Sequence, residues 1–384
     1  MAETLNMIEK PISEIIDFIK DQLECEIYDP IIILGKMGMG KTASLKGLTK
    51  ELGIGYCELR LVNMTETDML GIPTISADGT TTYASNDLLP IVERDGEVGI
   101  LALDEITSCS STMRAAAYQL LDGQRALGNY KLPEKWICVG LGNGPDDGGV
   151  FNGAEAALFT RCYGFRVAVS IESWKEYALA NNINPAIIAY LSMPGCTKLH
   201  DYDPDEMDGL CPTPRTWEKL SKLLNSREAK NGGKALSRNM VEMLAAASVG
   251  EKEAGAFAGF YGYKASEDLI DPNDIVSGKA KGKNIRAVDP EVIYLTIQNI
   301  IQLLRAEAER CSIDLTEDIK KKIVNACSWF VDIGNQKTDY GVMGIRDIIT
   351  ALPQNAQFFV LSDEFDELCP EVSKFSQDKD IMLS

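Results

Sequence analysis

The chain holds a single histidine, His200, among its 384 residues. One histidine cannot build a metal site of several imidazoles, and a histidine-based triad would have to rest on this residue alone, so both are disfavoured. Its ten cysteines are scattered singly with no Cys-x-x-Cys pair, which removes the zinc-ribbon and dithiol redox motifs. Several, such as Cys57 and Cys138, lie inside apolar, strand-like runs and read as small buried hydrophobes. No apolar stretch approaches the ~20 residues of a membrane-spanning helix. The opening Met1-Ala2-Glu3-Thr4-Leu5 lacks the basic start and apolar core of a signal peptide, so the expected compartment is the cytoplasm. Positive charge is also scarce. Thirty-eight Lys and Arg face fifty-seven Asp and Glu, a net charge of −19. Attraction to phosphate backbones supplies most nonspecific nucleic-acid affinity, so this balance counts against DNA or RNA as the partner. It fits a protein partner with basic surface, or simple solubility. Whatever chemistry the chain performs must come from carboxylates, lysines, arginines and a bound metal.

What is present begins at Pro30-Ile31-Ile32-Ile33-Leu34, an aliphatic strand leading directly into Gly35-Lys36-Met37-Gly38-Met39-Gly40-Lys41-Thr42. The octet fits Gly-x-x-x-x-Gly-Lys-Ser/Thr and sits between a strand and a helix, expected over Ala43 to Leu52, as the mechanism of that motif requires. Glycines let the backbone curl with its N–H groups turned inward, and the helix N-terminus adds a positive dipole end; together they cradle a polyphosphate. Lys41 would reach the β- and γ-phosphates, and the Thr42 hydroxyl would ligate Mg²⁺. The pattern implies binding of a nucleoside triphosphate.

Strand signals follow at Cys57–Val62, Gly99–Leu103, Trp136–Leu141 and Tyr163–Val169, with helical stretches between. Together with the loop's own strand they predict a five-stranded, mostly parallel sheet sandwiched by helices. Residues Glu3 to Glu24 carry apolar positions near a helical period and predict an N-terminal helix, assigned to 1–27. The α/β nucleotide domain is assigned to 28–195, with a turn-rich hairpin insert at about 74–96. An all-helical lid and C-terminal extension are assigned to 196–384, with helices at Pro290–Cys311, Thr316–Val331 and Ile345–Phe359, and with Asn225–Leu236 and Asp271–Ala287 as polar loops.

The strand Gly99–Leu103 ends in Asp104-Glu105. Placed beside the loop's own strand, Asp104 can hold Mg²⁺ and Glu105 can accept a proton from the water that attacks the γ-phosphate. The strand Trp136–Gly142 delivers Asn143 at its carboxyl end, where ligands of open α/β sheets bind, and the Asn143 amide can point at the γ-phosphate or the water. Ala156–Cys162 reads as a short helix whose Arg161 projects from the sheet edge, where it could complete a neighbouring subunit's site as an arginine finger. Arg114 and Arg125 are weaker candidates for that contact. Pro212-Thr213-Pro214-Arg215 opens the helical domain and puts Arg215 in a first helical turn, where it could sense the γ-phosphate.

This set of motifs resembles an AAA+ ATPase of the MoxR type, in the clade with an insert in its second helix. Thr67-Asp68-Met69-Leu70-Gly71-Ile72-Pro73 resembles the segment before that insert, and Tyr118-Gln119-Leu120-Leu121-Asp122-Gly123-Gln124-Arg125 the helix after the acidic pair. The resemblance spans about residues 28–225; beyond that it rests on helical content alone. Met37 departs from the family, which usually carries proline there. The resemblance implies roles for Lys41 and Thr42 in the first motif, Asp104 and Glu105 in the second, Asn143 and Arg215 as sensors, and Arg161 as the finger. It implies ATP and Mg²⁺ as cofactors, a homo-oligomeric and most often hexameric ring, and a protein client that is remodelled, assembled or activated. A partner bearing a von Willebrand A domain is implied by the resemblance alone. Two other readings stand beside it: a DNA-linked motor or restriction subunit of the same clade, and a nucleotide-dependent assembly switch with low turnover.

Overall fold

The computed structural model describes residues 7–83, 87–144, 147, 161–202, 209–280, 288–311 and 314–372. Two compact units emerge, the first running to Ser170 and the second beginning at Ile171, with Tyr202 also belonging to the first.

The first unit is built on a sheet of strands β1 (Ile8–Lys10), β2 (Ile31–Leu34), β3 (Gly55–Arg60), β6 (Val98–Asp104), β9 (Lys135–Gly142) and β10 (Tyr163–Val167). Its order is β1-β10-β2-β9-β6-β3, and every pairing in it is parallel. The sheet therefore has six strands, not five. The extra one lies within the stretch expected to be helical from Glu3. Pro11 explains the difference: it biases Lys10 towards extended backbone, so the helix starts only afterwards, as α1 (Ile12–Glu24). A second correction concerns Asp104. Its strand does not lie beside the loop's own strand, because β9 is inserted between β2 and β6.

Both faces of the sheet are covered, as the unbroken apolar run of β2 requires. Ile31 and Ile33 join Ile15 and Ile19 of α1, and Leu45 and Leu48 of α2 (Lys41–Leu52), in one core. Ile32 and Leu34 join Met113, Ala117 and Leu120 of α5 (Ser111–Leu120) in the other. Each fully buried aliphatic side chain contributes about 1.5–3 kcal/mol, so the period-two alternation of β2 anchors both layers. Trp136, fully buried on β9, lies across β6 and β3. A Cβ on Gly99 would stand 2.6 Å from its ring, and one on Gly55 2.7 Å, so these two glycines make the room it occupies.

Between α3 (Glu66–Leu70) and α4 (Val92–Asp95), strands β4 (Pro73–Ile75) and β5 (Thr81–Tyr83) form the antiparallel hairpin that the Asp78-Gly79 turn announces. A second small hairpin joins β7 (Ala126–Leu127) to β8 (Tyr130–Lys131).

The second unit is helical: α6 (Ile171–Ala180), α7 (Pro185–Leu191), α8 (Pro214–Lys230), α9 (Arg238–Val249), α10 (Glu251–Tyr261), α11 (Pro272–Val276), α12 (Pro290–Ala308), α13 (Glu317–Gly334), α14 (Thr338–Ala351), α15 (Gln354–Val360) and α16 (Asp363–Leu368). α6 and α7 supply Trp174, Ile187 and Leu191 to its core, so the stretch 171–195 belongs to this unit. The helix expected over Ile345–Phe359 is two helices, because Pro353 cannot continue the first. Helix α8 extends through the first part of the expected loop Asn225–Leu236, and α11 lies within the expected loop Asp271–Ala287. No helix among the described residues is long and apolar enough to cross a membrane.

Candidate nucleotide site

Because the strands are parallel, the carboxyl ends of β2, β6, β9 and β10 share one edge of the sheet. At the end of β2 the chain turns through Gly35–Gly40 into α2. Gly38 and Gly40 adopt left-handed backbone, with φ of 75° and 84°, which lets consecutive N–H groups face inward. Met39 is buried in the core beneath α2 and pins the loop, while Met37 faces outward. Gly35 lies so close to β10 that a Cβ there would stand 2.9 Å from Val167 Cβ. The Lys41 ammonium donates to the carbonyls of Gly35 at 2.6 Å and Lys36 at 3.1 Å, which places its charge at the mouth of the loop.

Thr42, the next residue of α2, donates through Oγ1 to Asp104 Oδ2 at 3.3 Å. A hydroxyl and a carboxylate meeting at one point form the hard-oxygen pair that suits Mg²⁺, which takes one or two protein oxygens and fills its octahedron with phosphate oxygens and water. Among the described residues no three His, Cys, Asp or Glu side chains converge on a metal position, so any ion here would depend on ligand oxygens as well. The cradle of glycines, the lysine and the oxygen pair together fit a magnesium nucleotide.

Glu105 follows in left-handed backbone, φ 58°, unusual for a residue with a Cβ. Its N–H donates to Asp104 Oδ1 at 2.9 Å, and its side chain is about two-fifths exposed while that of Asp104 is nearly buried. Strain of this kind costs on the order of 1–2 kcal/mol and persists where the surroundings hold it. The Glu105 carboxylate is left partly open to solvent. Arg60, paired in register with Asp104 at the end of β3, lies 3.9 Å from the Asp104 carboxylate and 4.0 Å from that of Glu105. Tyr56 sits nearby on the same strand; burial, then Glu58, hold its phenol protonated well above the usual range.

Asn143 begins where β9 ends, and its N–H donates to Thr107 Oγ1 at 3.0 Å. Thr107 is buried two residues beyond Glu105, so one side chain links the acidic turn to Asn143. Asp147, also buried, accepts from the Gly144 N–H at 2.7 Å and from Arg166 Nη2 of β10 at 2.7 Å.

Neither the comparisons with protein families nor those with curated proteins give a match. Among solved structures the chain is similar to a presumed ATPase from Cytophaga hutchinsonii, with 11% identity, 81% of this chain and 82% of that chain covered, and a TM-score of 0.32. It is also similar to a mutant of RuvB from Thermotoga maritima, with 13% identity, 69% and 74% covered, and a TM-score of 0.32. The first unit has a P-loop NTPase fold. Its sheet order, its glycine loop and the Thr42–Asp104 contact define that fold.

The P-loop NTPase edge brings together Lys41, Thr42, Asp104, Glu105 and Asn143, as the sequence expects. It does not bring Arg161 there. That side chain, half exposed, pairs with Asp122 at 3.5 Å. The rest of the helix expected at Ala156–Cys162 lies outside the described residues, and at its end Arg161 and Cys162 form a turn. Arg125 is spoken for: it donates to the carbonyls of Glu134, Pro133 and Trp136, and holds left-handed backbone at φ 50°. Arg114 is half-buried on α5. Arg215 is exposed in the first turn of α8, whose start is fixed by Pro214 and a reciprocal Thr213–Thr216 cap. The sequence reading passed over Arg60, Thr107, Asp147 and Arg166, which become visible only once register and long-range contacts are known. Cys138 is buried on β9, as the sequence expects, whereas Cys57 on β3 is only half-buried; burial raises both thiols, Cys57 to about 11.

Proposed function

We propose that the chain is an ATP-hydrolysing AAA+ ATPase of the MoxR type, acting in the cytoplasm as a homo-oligomeric, hexameric ring that remodels, assembles or activates a protein client. The observation that carries this reading is the Thr42–Asp104 contact of 3.3 Å beneath the glycine loop, made by residues 62 positions apart. Lys41 would turn its ammonium from the loop carbonyls to the β- and γ-phosphate oxygens, and the loop N–H groups would hold the same phosphates. Mg²⁺, when bound, neutralises charge on those oxygens. Glu105 would take a proton from the attacking water, while the Asn143 amide orients that water or the γ-phosphate. The water oxygen bonds to the γ-phosphorus, the bond to the bridging oxygen breaks, and ADP and phosphate leave.

Arg161 supports a site shared between subunits. Its pairing with an exposed carboxylate is screened by solvent and therefore weak, leaving the guanidinium available to a neighbour. Arg215, exposed in a first helical turn, would sense the γ-phosphate. A partner with a von Willebrand A domain belongs to the same reading. The test is phosphate release measured against protein concentration, with Mg²⁺ or with EDTA, beside particle mass with and without ATP. Magnesium-dependent turnover whose specific rate rises as rings assemble is expected. Absence of turnover would sink the ATPase, and a fully active monomer would sink the ring.

A further inference from the structure

Asn143 can orient a water only if its Cα–Cβ bond points in one direction, and that direction is set by the two peptide planes that flank it. Both are held. The N–H of Asn143 itself donates to Thr107 Oγ1 at 3.0 Å, and the preceding residue is locked into the sheet, with Gly142 O accepting from Gly35 N–H at 3.2 Å. On the other side the N–H of Gly144 donates to Asp147 Oδ2 at 2.7 Å, and the Asp147 N–H returns a bond to Gly144 O at 3.2 Å. The second carboxylate oxygen, Oδ1, accepts from Arg166 Nη2 at 2.7 Å. Arg166 stands opposite Leu34, the last residue before the glycine loop.

Three features mark this arrangement as a clamp. Asp147 is about 1% exposed, and a buried carboxylate is costly unless every oxygen is satisfied, as both are here. The bond to Gly144 is charge-assisted and therefore short and directional. A Cβ on Gly144 would come 2.7 Å from Asp147 Oδ2, so the approach depends on glycine at that place. We propose that Asp147 and Arg166 are positioning residues for Asn143, tying its loop to the strand beside the phosphate loop. The inference rests on the ATPase reading for its effect on rate, whereas the clamp itself can be read without nucleotide.

The experiment compares the wild-type protein with Asp147→Asn, Arg166→Gln and the double variant. Fluorescent-nucleotide affinity, kcat and KM, and amide hydrogen exchange at Gly144 in nucleotide-free protein are measured for each, with thermal melts checking the fold. Asp147→Asn turns one acceptor into a donor, so Gly144 or Arg166 loses its bond. We expect Gly144 exchange to speed up and kcat to fall by about tenfold, as misplacement of a reacting group does, with KM and nucleotide affinity within about twofold of wild type. In the double variant the introduced amide can accept from Gly144 and donate to the introduced glutamine carbonyl, so protection and kcat should largely return. An unchanged kcat in Asp147→Asn, a matching loss of affinity, or a double variant no better than the single would overturn the positioning role. Wild-type protein that binds nucleotide but never turns over would sink the ATPase reading instead, and Gly144 exchange unaffected by a further variant, Asp147→Ala, which removes both acceptors, would refute the clamp.

Discussion

Removing Asp347 from the helical unit should cost more stability than any exposed substitution. Asp347 of α14 is about 2% exposed and accepts from Lys175 Nζ of α6 at 2.6 Å and from Gln298 Nε2 of α12 at 2.8 Å, with half-exposed Arg346 at 3.9 Å. Lys175 is itself about 6% exposed on its side chain. Asp347→Ala leaves a buried ammonium without its counter-charge, a loss of about 3–5 kcal/mol. Lys175→Met should cost less, because Asp347 keeps Gln298 and Arg346. The double variant Lys175→Met/Asp347→Asn removes both charges and keeps an acceptor for Gln298, so most of the loss should be recovered. Urea unfolding followed by tryptophan fluorescence suits the test, because Trp174, Trp217 and Trp329, three of the four tryptophans, lie in this unit. A cost below about 1 kcal/mol for Asp347→Ala, well under the range for a broken buried pair, or a double variant as unstable as that single one, would show that the pair is solvated and the argument wrong.

Lys41→Ala should abolish nucleotide binding in calorimetry, because the loop loses the side-chain charge aimed at the terminal phosphates. Glu105→Gln should bind ATP but not turn it over; normal phosphate release would show the base to be misassigned. Arg161→Ala should slow hydrolysis by as much as ~10³-fold while each subunit still binds ATP. Mixing it with Glu105→Gln subunits should restore part of the activity, whereas no rescue in demonstrated mixed rings would mean that Arg161 serves its own subunit. Gly99→Ala drives a methyl to 2.6 Å from the Trp136 ring and should lower stability by about 1–3 kcal/mol in chemical denaturation. Combining it with Trp136→Phe should cost less than the sum of the two.

Strands β2, β6 and β9 could be read directly from their apolar runs, since buried parallel strands need no alternation and the run of Ile31–Leu34 admits little else, while β3 and β10 showed through shorter apolar stretches broken by Glu58, Arg60 and Arg166. The glycine loop was equally plain, because its chemistry is local. Strand β1 escaped because it is only three residues long and its Ile8 also fits a helical period. The place of β9 between β2 and β6 could not be seen, since strand order is a property of crossovers and not of any segment. The same limit hid Arg60, Thr107 and the Asp147–Arg166 pair: each acts on a residue brought near by register or by a turn. Arg125 shows the opposite failure. Its position beside α5 suggested a finger, but burial and three carbonyl partners hold it within its own unit, and burial lowers its readiness to carry charge.

Strand β1 has a consequence for handling the protein. A sheet edge presents unpaired N–H and C=O groups, which invite any extended chain to join it. Here β1 covers the flank of β10, whose Tyr163 and Phe165 also hold Phe18 of α1 at ring separations of 5.2 Å and 4.9 Å. Trimming the chain back to Pro11 would uncover β10 along Phe165–Val167, a strand with aromatic and aliphatic side chains and no proline. Such shortened protein would keep its glycine loop and its acidic pair, yet be prone to pair strand to strand with its own copies. Losses of soluble material on N-terminal truncation would then report a bared edge and say nothing about catalysis.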